Sequence, residues 1–127
     1  MQKKTRVLVV DDREAYRSYL ADVVQTMDME AETAADGFEA LARSRVGFDV
    51  ILLDARMPGV DGYEVARRLN AEEERSTPHI IMITGLQSEE DRERAQQSGS
   101  DAFLQKPISP EDLRKCITSV IEECDKN

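Results

Sequence analysis

The chain predicts an α/β fold with helices on both faces of a parallel five-stranded sheet, the architecture of a doubly wound (βα)5 three-layer sandwich, whose polar strand ends would meet if the strand order is 2-1-3-4-5. Three observations point there. Short apolar runs alternate five times with amphipathic stretches, the pattern of a parallel sheet covered on both faces. Five strand–helix units take up nearly all residues, without repeats or low-complexity linkers. Finally, most of the apolar runs end on reactive side chains, and open parallel sheets carry their ligands at the carboxyl ends of strands, where the winding reverses.

The strands are read at 6–10 (RVLVV), 31–34 (AETA), 49–53 (DVILL), 80–84 (IIMIT) and 101–105 (DAFLQ). The second is the least apolar and belongs at an edge. Tyr16, Tyr19, Leu20, Val23, Val24 and Met27 recur at the spacing of a buried helical stripe. Phe38, Leu41 and Val46 mark a second helix, and Val65, Ala66 and Leu69 a third, which Asp61 and Gly62 cap and start. In the fifth, Ser109 caps, Pro110 suits the first helical position, and Leu113, Cys116, Ile117, Val120, Ile121 and Cys124 form the stripe. The fourth, 88–99, has a cap at Ser88 and a stop at Gly99 but almost no apolar face, so a loosely held helix is expected. That segment reads equally as a solvated surface or as a movable interaction face.

With 127 residues, 40% hydrophobic and 34% charged, the chain suits one domain (1–127) around a single core. Its 26 acidic and 17 basic residues give a net charge of -9. Such a charge repels phosphate backbones and anionic membranes, so neither nucleic acid nor membrane is an expected partner. The basic MQKKTR leads into only four apolar residues, too few for a signal peptide or an anchor, and no run approaches the length of a membrane span. A cytoplasmic protein is the expectation. Cys116 and Cys124 would lie about 12 Å apart along one helix, beyond disulfide reach. His79 has no second His or Cys near it in sequence to make a transition-metal site.

The polar residues collect at strand ends: Asp11 and Asp12 after the first, Asp54 after the third, Thr84 closing the fourth and Lys106 after the fifth. Each has an ordinary explanation. Asp11 and Asp12 could start a helix, Asp54 could satisfy a turn amide, Thr84 suits a strand, and Lys106 could be a surface charge. Jointly these explanations fail, because adjacent carboxylates repel by about 4 kcal/mol per pair at 4 Å in a surface dielectric. Lys106 offsets one charge. A hard divalent cation with oxygen ligands relieves the rest, and Mg²⁺ (or Mn²⁺) takes one or two carboxylates together with phosphate oxygens. At such a site Asp54 can attack phosphorus as an already ionised nucleophile, with Thr84 and Lys106 placed to bond the new oxygens.

The pieces VLVVDD (7–12), LLDARMPGVDGYE (52–64), IIMITG (80–85) and GSDAFLQKP (99–107) resemble, in order and spacing, the receiver domain of two-component response regulators, including the chemotaxis-regulator type. The resemblance covers essentially the whole chain. It implies a flavodoxin-like fold in which Asp54 accepts phosphate from a histidine kinase or a histidine phosphotransfer protein. It further implies Mg²⁺ held by Asp12, Asp54 and the backbone carbonyl of Arg56, with Asp11 acting through water. Phosphate would be bound by Thr84, Gly85 and Lys106, and the Lys106–Pro107 peptide would be cis. Thr84 and Phe103 would switch together, changing the surface of the fourth helix, fifth strand and fifth helix. That surface would meet a target protein or output domain, or a second copy in a phosphorylation-linked homodimer.

Phe103 stands where this family often has tyrosine, and Arg56 and Leu86 occupy positions that tune how long the phosphate survives. Three other readings compete. A Mg²⁺-dependent phosphohydrolase would carry a DxDx motif after its first strand, whereas Asp11 and Asp12 adjoin. An interaction module that never takes phosphate would not need the complete set of site residues. A flavin-binding protein of this architecture would show a Ser/Thr-Gly-rich loop after its first strand, and none is present. Leu86 has no polar atom to orient an attacking water, so slow loss of phosphate is expected. Leu86→Glu should shorten the phosphoprotein lifetime or leave it unchanged, as followed by decay of the phosphorylated mass; a clear lengthening would refute this.

Overall fold

The structure is a computed structural model that describes residues 4–71, 78–85 and 89–125, with side chains described to residue 122. Five strands, β1 (Arg6–Val10), β2 (Glu30–Ala34), β3 (Val50–Asp54), β4 (His79–Thr84) and β5 (Ala102–Gln105), alternate with α1 (Glu14–Gln25), α2 (Gly37–Arg43), α3 (Gly62–Asn70), α4 (Glu89–Gln97) and α5 (Pro110–Asp125). The strands form one parallel sheet in the order β2-β1-β3-β4-β5, the predicted doubly wound arrangement.

Period-two alternation divides the core between the two sheet faces. Leu8, Val10, Ile51, Leu53, Ile80 and Met82 pack with Ala40, Val65, Ala66, Leu69 and Ala95 of α2, α3 and α4. Val7, Val9, Val50, Leu52, Ile81 and Ile83 pack with Leu20, Val23 and Val24 of α1 and Leu113, Ile117 and Val120 of α5. The inner strands β3 and β4 are apolar on both faces for this reason. Edge strand β2 is mostly half-exposed, and its outward acids are matched by Arg6 and Arg43.

The helix boundaries follow local chemistry. Asp61 caps α3 by accepting the Glu64 N–H at 2.9 Å, and the Ser109 hydroxyl accepts the Asp112 N–H at 3.0 Å in the first turn of α5. Gly99 ends α4 at φ +87°, where the Ser100 N–H reaches back to the Ala95 carbonyl at 3.2 Å. Ser88, the expected cap of α4, lies outside the described residues. Neither Asp11 nor Asp12 caps α1; Arg13 stands at that position without a side-chain cap.

Two residues of the expected second stripe are corrected. Phe38 is 63% exposed and Val46 is 65% exposed. The buried face of this short helix is made by Gly37 and Ala40, with Leu41 packed at the margin. A side chain at Gly37 would stand 2.5 Å from the Val60 carbonyl oxygen, so α2 packs through its smallest residues and its one aromatic turns outward. Val46 falls in a separate 3₁₀ turn (Ser44–Val46) that leaves it in solvent.

This division has a measurable consequence. Leu113→Ala, which empties a fully buried position between α5 and the sheet, should cost about 2–5 kcal/mol of unfolding free energy. Phe38→Ser should change it by less than about 0.5 kcal/mol. Urea denaturation of both variants measures the contrast.

Candidate functional site

The strand register brings the acids together. Val10 pairs with Leu53, so Asp11, one residue on, comes beside Asp54 at the end of β3. Asp11 continues the Val7, Val9 alternation and Asp54 the Val50, Leu52 alternation. Both carboxylates therefore fall on the sheet face that α1 and α5 cover. The Asp11 N–H is tied to the Ala34 carbonyl at 3.2 Å and the Ala55 N–H to Ile83 at 2.8 Å, which extends the sheet ladder past the formal strand ends. Behind Asp54, α3 begins at Gly62, where a Cβ would lie 2.3 Å from the Asp54 carbonyl oxygen and 2.9 Å from the Ala55 Cα. Only glycine allows the first turn of α3 to back directly onto the Asp54 backbone.

Carboxylate oxygens of Asp11, Asp12 and Asp54 all lie within 4.8 Å of one another. Asp11 and Asp54 are buried and Asp12 is exposed. The Lys106 ammonium reaches both buried acids, at 3.0 Å from Asp11 Oδ2 and 3.5 Å from Asp54 Oδ1. Asp11 Oδ1 also accepts the Arg13 N–H at 2.9 Å. The Lys106 N–H donates to the Thr84 carbonyl at 2.7 Å, and the Lys106–Pro107 peptide is cis. Buried Thr84 closes β4 beside these groups, and at Gly85 a Cβ would meet nothing within 4 Å among the described residues.

The electrostatics leave Asp54 uncomfortable as an anion. Burial, chiefly, and the neighbouring Asp11 raise its pKa from 3.8 to about 6, against the pull of Lys106 and of the Arg56 backbone hydrogen bond. Three carboxylates facing one ammonium hold an excess of negative charge. The donors are all hard oxygens, open to solvent on the Asp12 side. They fit Mg²⁺ or Mn²⁺ and offer no soft or imidazole ligand for a later transition metal.

The other expected residues lie around this cluster or away from it. Phe103, on β5, is partly buried and packs against the α4 side of the core. Leu86 lies outside the described residues. His79 begins β4, at the opposite end of the sheet, with its Nδ1 3.8 Å from Asp101. The side chain of Arg56 turns toward α4, where its guanidinium stands 3.8 Å from the carboxylate of Asp91.

That contact belongs to a wider polar set that also takes in Tyr63, Arg94 and Asn70, none of them marked by the sequence pattern. Asp91 is 4% exposed, and the Tyr63 hydroxyl lies 3.4 Å from its Oδ1. Burial and Asp91 together push the Tyr63 phenol above its ordinary pKa. Arg94 stacks over the Tyr63 ring at 4.3 Å and reaches Asp61 at 3.5 Å, and Asn70 donates to the Ser98 carbonyl at 2.8 Å. So α4 is seated by polar contacts where an apolar stripe is missing. The available signal was the spacing of Asp91 four residues before Ala95, which puts both on one helical face.

Comparison with known proteins agrees with this geometry. The family description "Response regulator receiver domain" matches residues 7–118. A probable transcriptional regulator, ycf27, of Porphyridium aerugineum is 36% identical over 98% of this chain and 51% of its own length. The transcriptional regulatory protein ResD of Bacillus subtilis is 37% identical over 87% and 45% respectively. The chain thus spans about half the length of these curated relatives. Among solved structures, the chemotaxis protein CheY4 of Vibrio cholerae superposes with a TM-score of 0.87 at 34% identity, covering 93% of this chain and 99% of that one. A CheY-like receiver protein of Methanospirillum hungatei gives 0.89 at 30% identity, covering 98% of each. The family match across residues 7–118, together with relatives 36% and 37% identical over most of its length, places this chain in the response regulator receiver family.

Proposed function

We propose that residues 1–127 act as one phosphorylation-operated switch in which Asp54 accepts a phosphoryl group from a histidine kinase or a histidine phosphotransfer protein. The observation that carries this is the buried Asp54 carboxylate, 3.5 Å from the Lys106 ammonium and within 4.8 Å of two further acids. An Asp54 oxygen attacks phosphorus as the P–N bond of the phosphohistidine breaks. The electron pair leaves with the imidazole nitrogen, which takes a proton from water, and a mixed anhydride forms on Asp54. Lys106 and the Thr84 hydroxyl donate to the phosphoryl oxygens, and the Gly85 backbone leaves their approach clear. Asp11, Asp12, Asp54 and the Arg56 carbonyl would hold Mg²⁺, which when bound neutralises charge on those oxygens.

Phosphate on Asp54 then draws Thr84 toward it, and Phe103 turns inward, a population shift between two packings of α4, β5 and α5. The output is contact of that surface with a target protein, an output domain or a second copy. Two relatives that extend well beyond this region are named as transcriptional regulators, which supports a regulatory target. The net charge of -9 argues against nucleic-acid contact by these residues themselves. Among the described residues no helix is long and apolar enough to cross a membrane, in keeping with a cytoplasmic site of action. Arg56 and Leu86 set the phosphate lifetime, and no external substrate is turned over.

Intact-mass measurement after incubation with Mg²⁺ and acetyl phosphate tests the assignment. The wild-type chain should gain one phosphate and Asp54→Asn none; uptake by the variant would overturn it, and continuous release of phosphate over many equivalents would favour a phosphohydrolase.

The raised pKa of Asp54 yields a second prediction. A carboxyl that holds its proton more tightly when folded favours the fold below its unfolded pKa, and that contribution is lost as pH rises from about 4 through about 6. Without metal, Asp54→Asn should therefore be more stable than wild type at pH 7–8, by on the order of 1–2 kcal/mol after solvent screening. The advantage should disappear toward pH 4, as thermal or urea unfolding across pH will show.

A further inference from the structure

We infer that Tyr16 and Tyr19 of α1 are positioning residues for Lys106: a paired clamp that holds the phosphate-binding ammonium over an aromatic face and fixes the loop behind it. The inference rests on the reading of Asp54 and Lys106 above and extends it to side chains that otherwise count only as core.

Three contacts define the clamp. The Lys106 ammonium lies 4.4 Å from the centre of the Tyr16 ring. The Tyr16 hydroxyl accepts the Ile108 N–H at 3.2 Å, and the Tyr19 hydroxyl donates to the Ile108 carbonyl at 2.6 Å. Ile108 is 5% exposed, so both polar groups of a buried backbone unit are satisfied by two phenols from another element. Proline at 107 has no N–H, which makes Ile108 the first residue after Lys106 whose amide can be gripped. The two tyrosines are three residues apart on one helical face. Their rings meet edge to face, with centroids 5.6 Å apart and planes at 69°, so each ring fixes the other.

Packing alone does not require this chemistry. Leucine at 16 and 19 would fill the same space beside the core without supplying a π-face or a hydroxyl. The ring also does something another carboxylate could not. A lysine stem is flexible, and its ammonium needs to be kept near Asp54. Acids provide that hold at Asp11 and Asp54, but each added negative charge repels an incoming phosphoryl group. A π-face attracts the ammonium while carrying no net charge. It holds Lys106 beside Asp54 without opposing the anion that Lys106 is to receive.

The test uses the full chain as wild type, Tyr16→Phe, Tyr16→Leu and Tyr19→Phe, with two readouts. The first is NMR of the metal-free protein, in which the Lys106 side-chain protons should be shifted upfield by the ring current. That shift should persist in Tyr16→Phe and vanish in Tyr16→Leu. The second is the rate of phosphorylation by acetyl phosphate at saturating Mg²⁺. It should fall about tenfold or more in Tyr16→Leu, and by less than about threefold in Tyr16→Phe, which loses one neutral hydrogen bond and keeps the ring. Tyr19→Phe should fall between these, and Mg²⁺ affinity should stay within about twofold throughout because the acids are untouched.

A folded Tyr16→Leu that phosphorylates at the wild-type rate would overturn the clamp, as would wild-type Lys106 signals without the upfield shift, a result that needs no variant to fold. Should the wild type take up no phosphate, the assignment of Asp54 fails, while the NMR result still judges the clamp separately.

Discussion

The contact on which the rest depends is the ammonium of Lys106 set between the buried carboxylates of Asp11 and Asp54. Three acids at adjacent strand ends would otherwise repel one another in a region half removed from water. One cation offsets part of that repulsion and leaves the remainder. The fold tolerates the residue of charge because it is confined to the rim of the sheet, where Asp12 still faces solvent. The same excess of negative charge on hard oxygen donors is what a divalent cation would relieve.

Sheet geometry makes this contact unavoidable. Parallel pairing of β1 with β3 sets Asp11 beside Asp54, and period-two alternation sends both side chains to one face. Lys106 arrives from β5 on the far side of β4, tied to the Thr84 carbonyl. The glycine at 62 lets α3 begin against the backbone of Asp54, so that residue is braced from behind. The apolar layers on both faces are what hold these loops in register, since each loop joins a strand buried in the sheet to a helix packed on it.

A different physics operates at α4. Few apolar side chains seat this helix; its buried positions are Asp91 and Ala95. Asp91 meets the Tyr63 hydroxyl from α3 and the Arg56 guanidinium from the loop that follows Asp54. Polar contacts of this kind are directional and exchange partners more readily than a packed stripe. The helix is thereby linked through charge and hydrogen bonding to the loop that follows Asp54.

The order of elements and the placing of Asp11, Asp12, Asp54, Thr84 and Lys106 at strand ends were legible in the amino-acid order, because hydrophobic period and strand-end position are local properties, while the winding that gathers them was implied by family resemblance and realised in the sheet. The caps at Asp61 and Ser109 were legible for the same reason. Other features arose only when elements met. Phe38 and Val46 look like core by spacing, yet α2 approaches the β3–α3 loop so closely at Gly37 that small residues fill the contact and Phe38 faces water, while Val46 is left in solvent by the 3₁₀ turn that follows α2. Asp91 reads as a surface acid until Tyr63 and Arg56 close over it. Tyr16 and Tyr19 read as two more apolar positions, since nothing nearby in sequence reveals that Ile108 and Lys106, some ninety residues away, will supply the partners of their hydroxyls and of one ring face. Periodicity reports which side of an element is buried; the identity of the atoms it is buried against is decided by packing between distant segments.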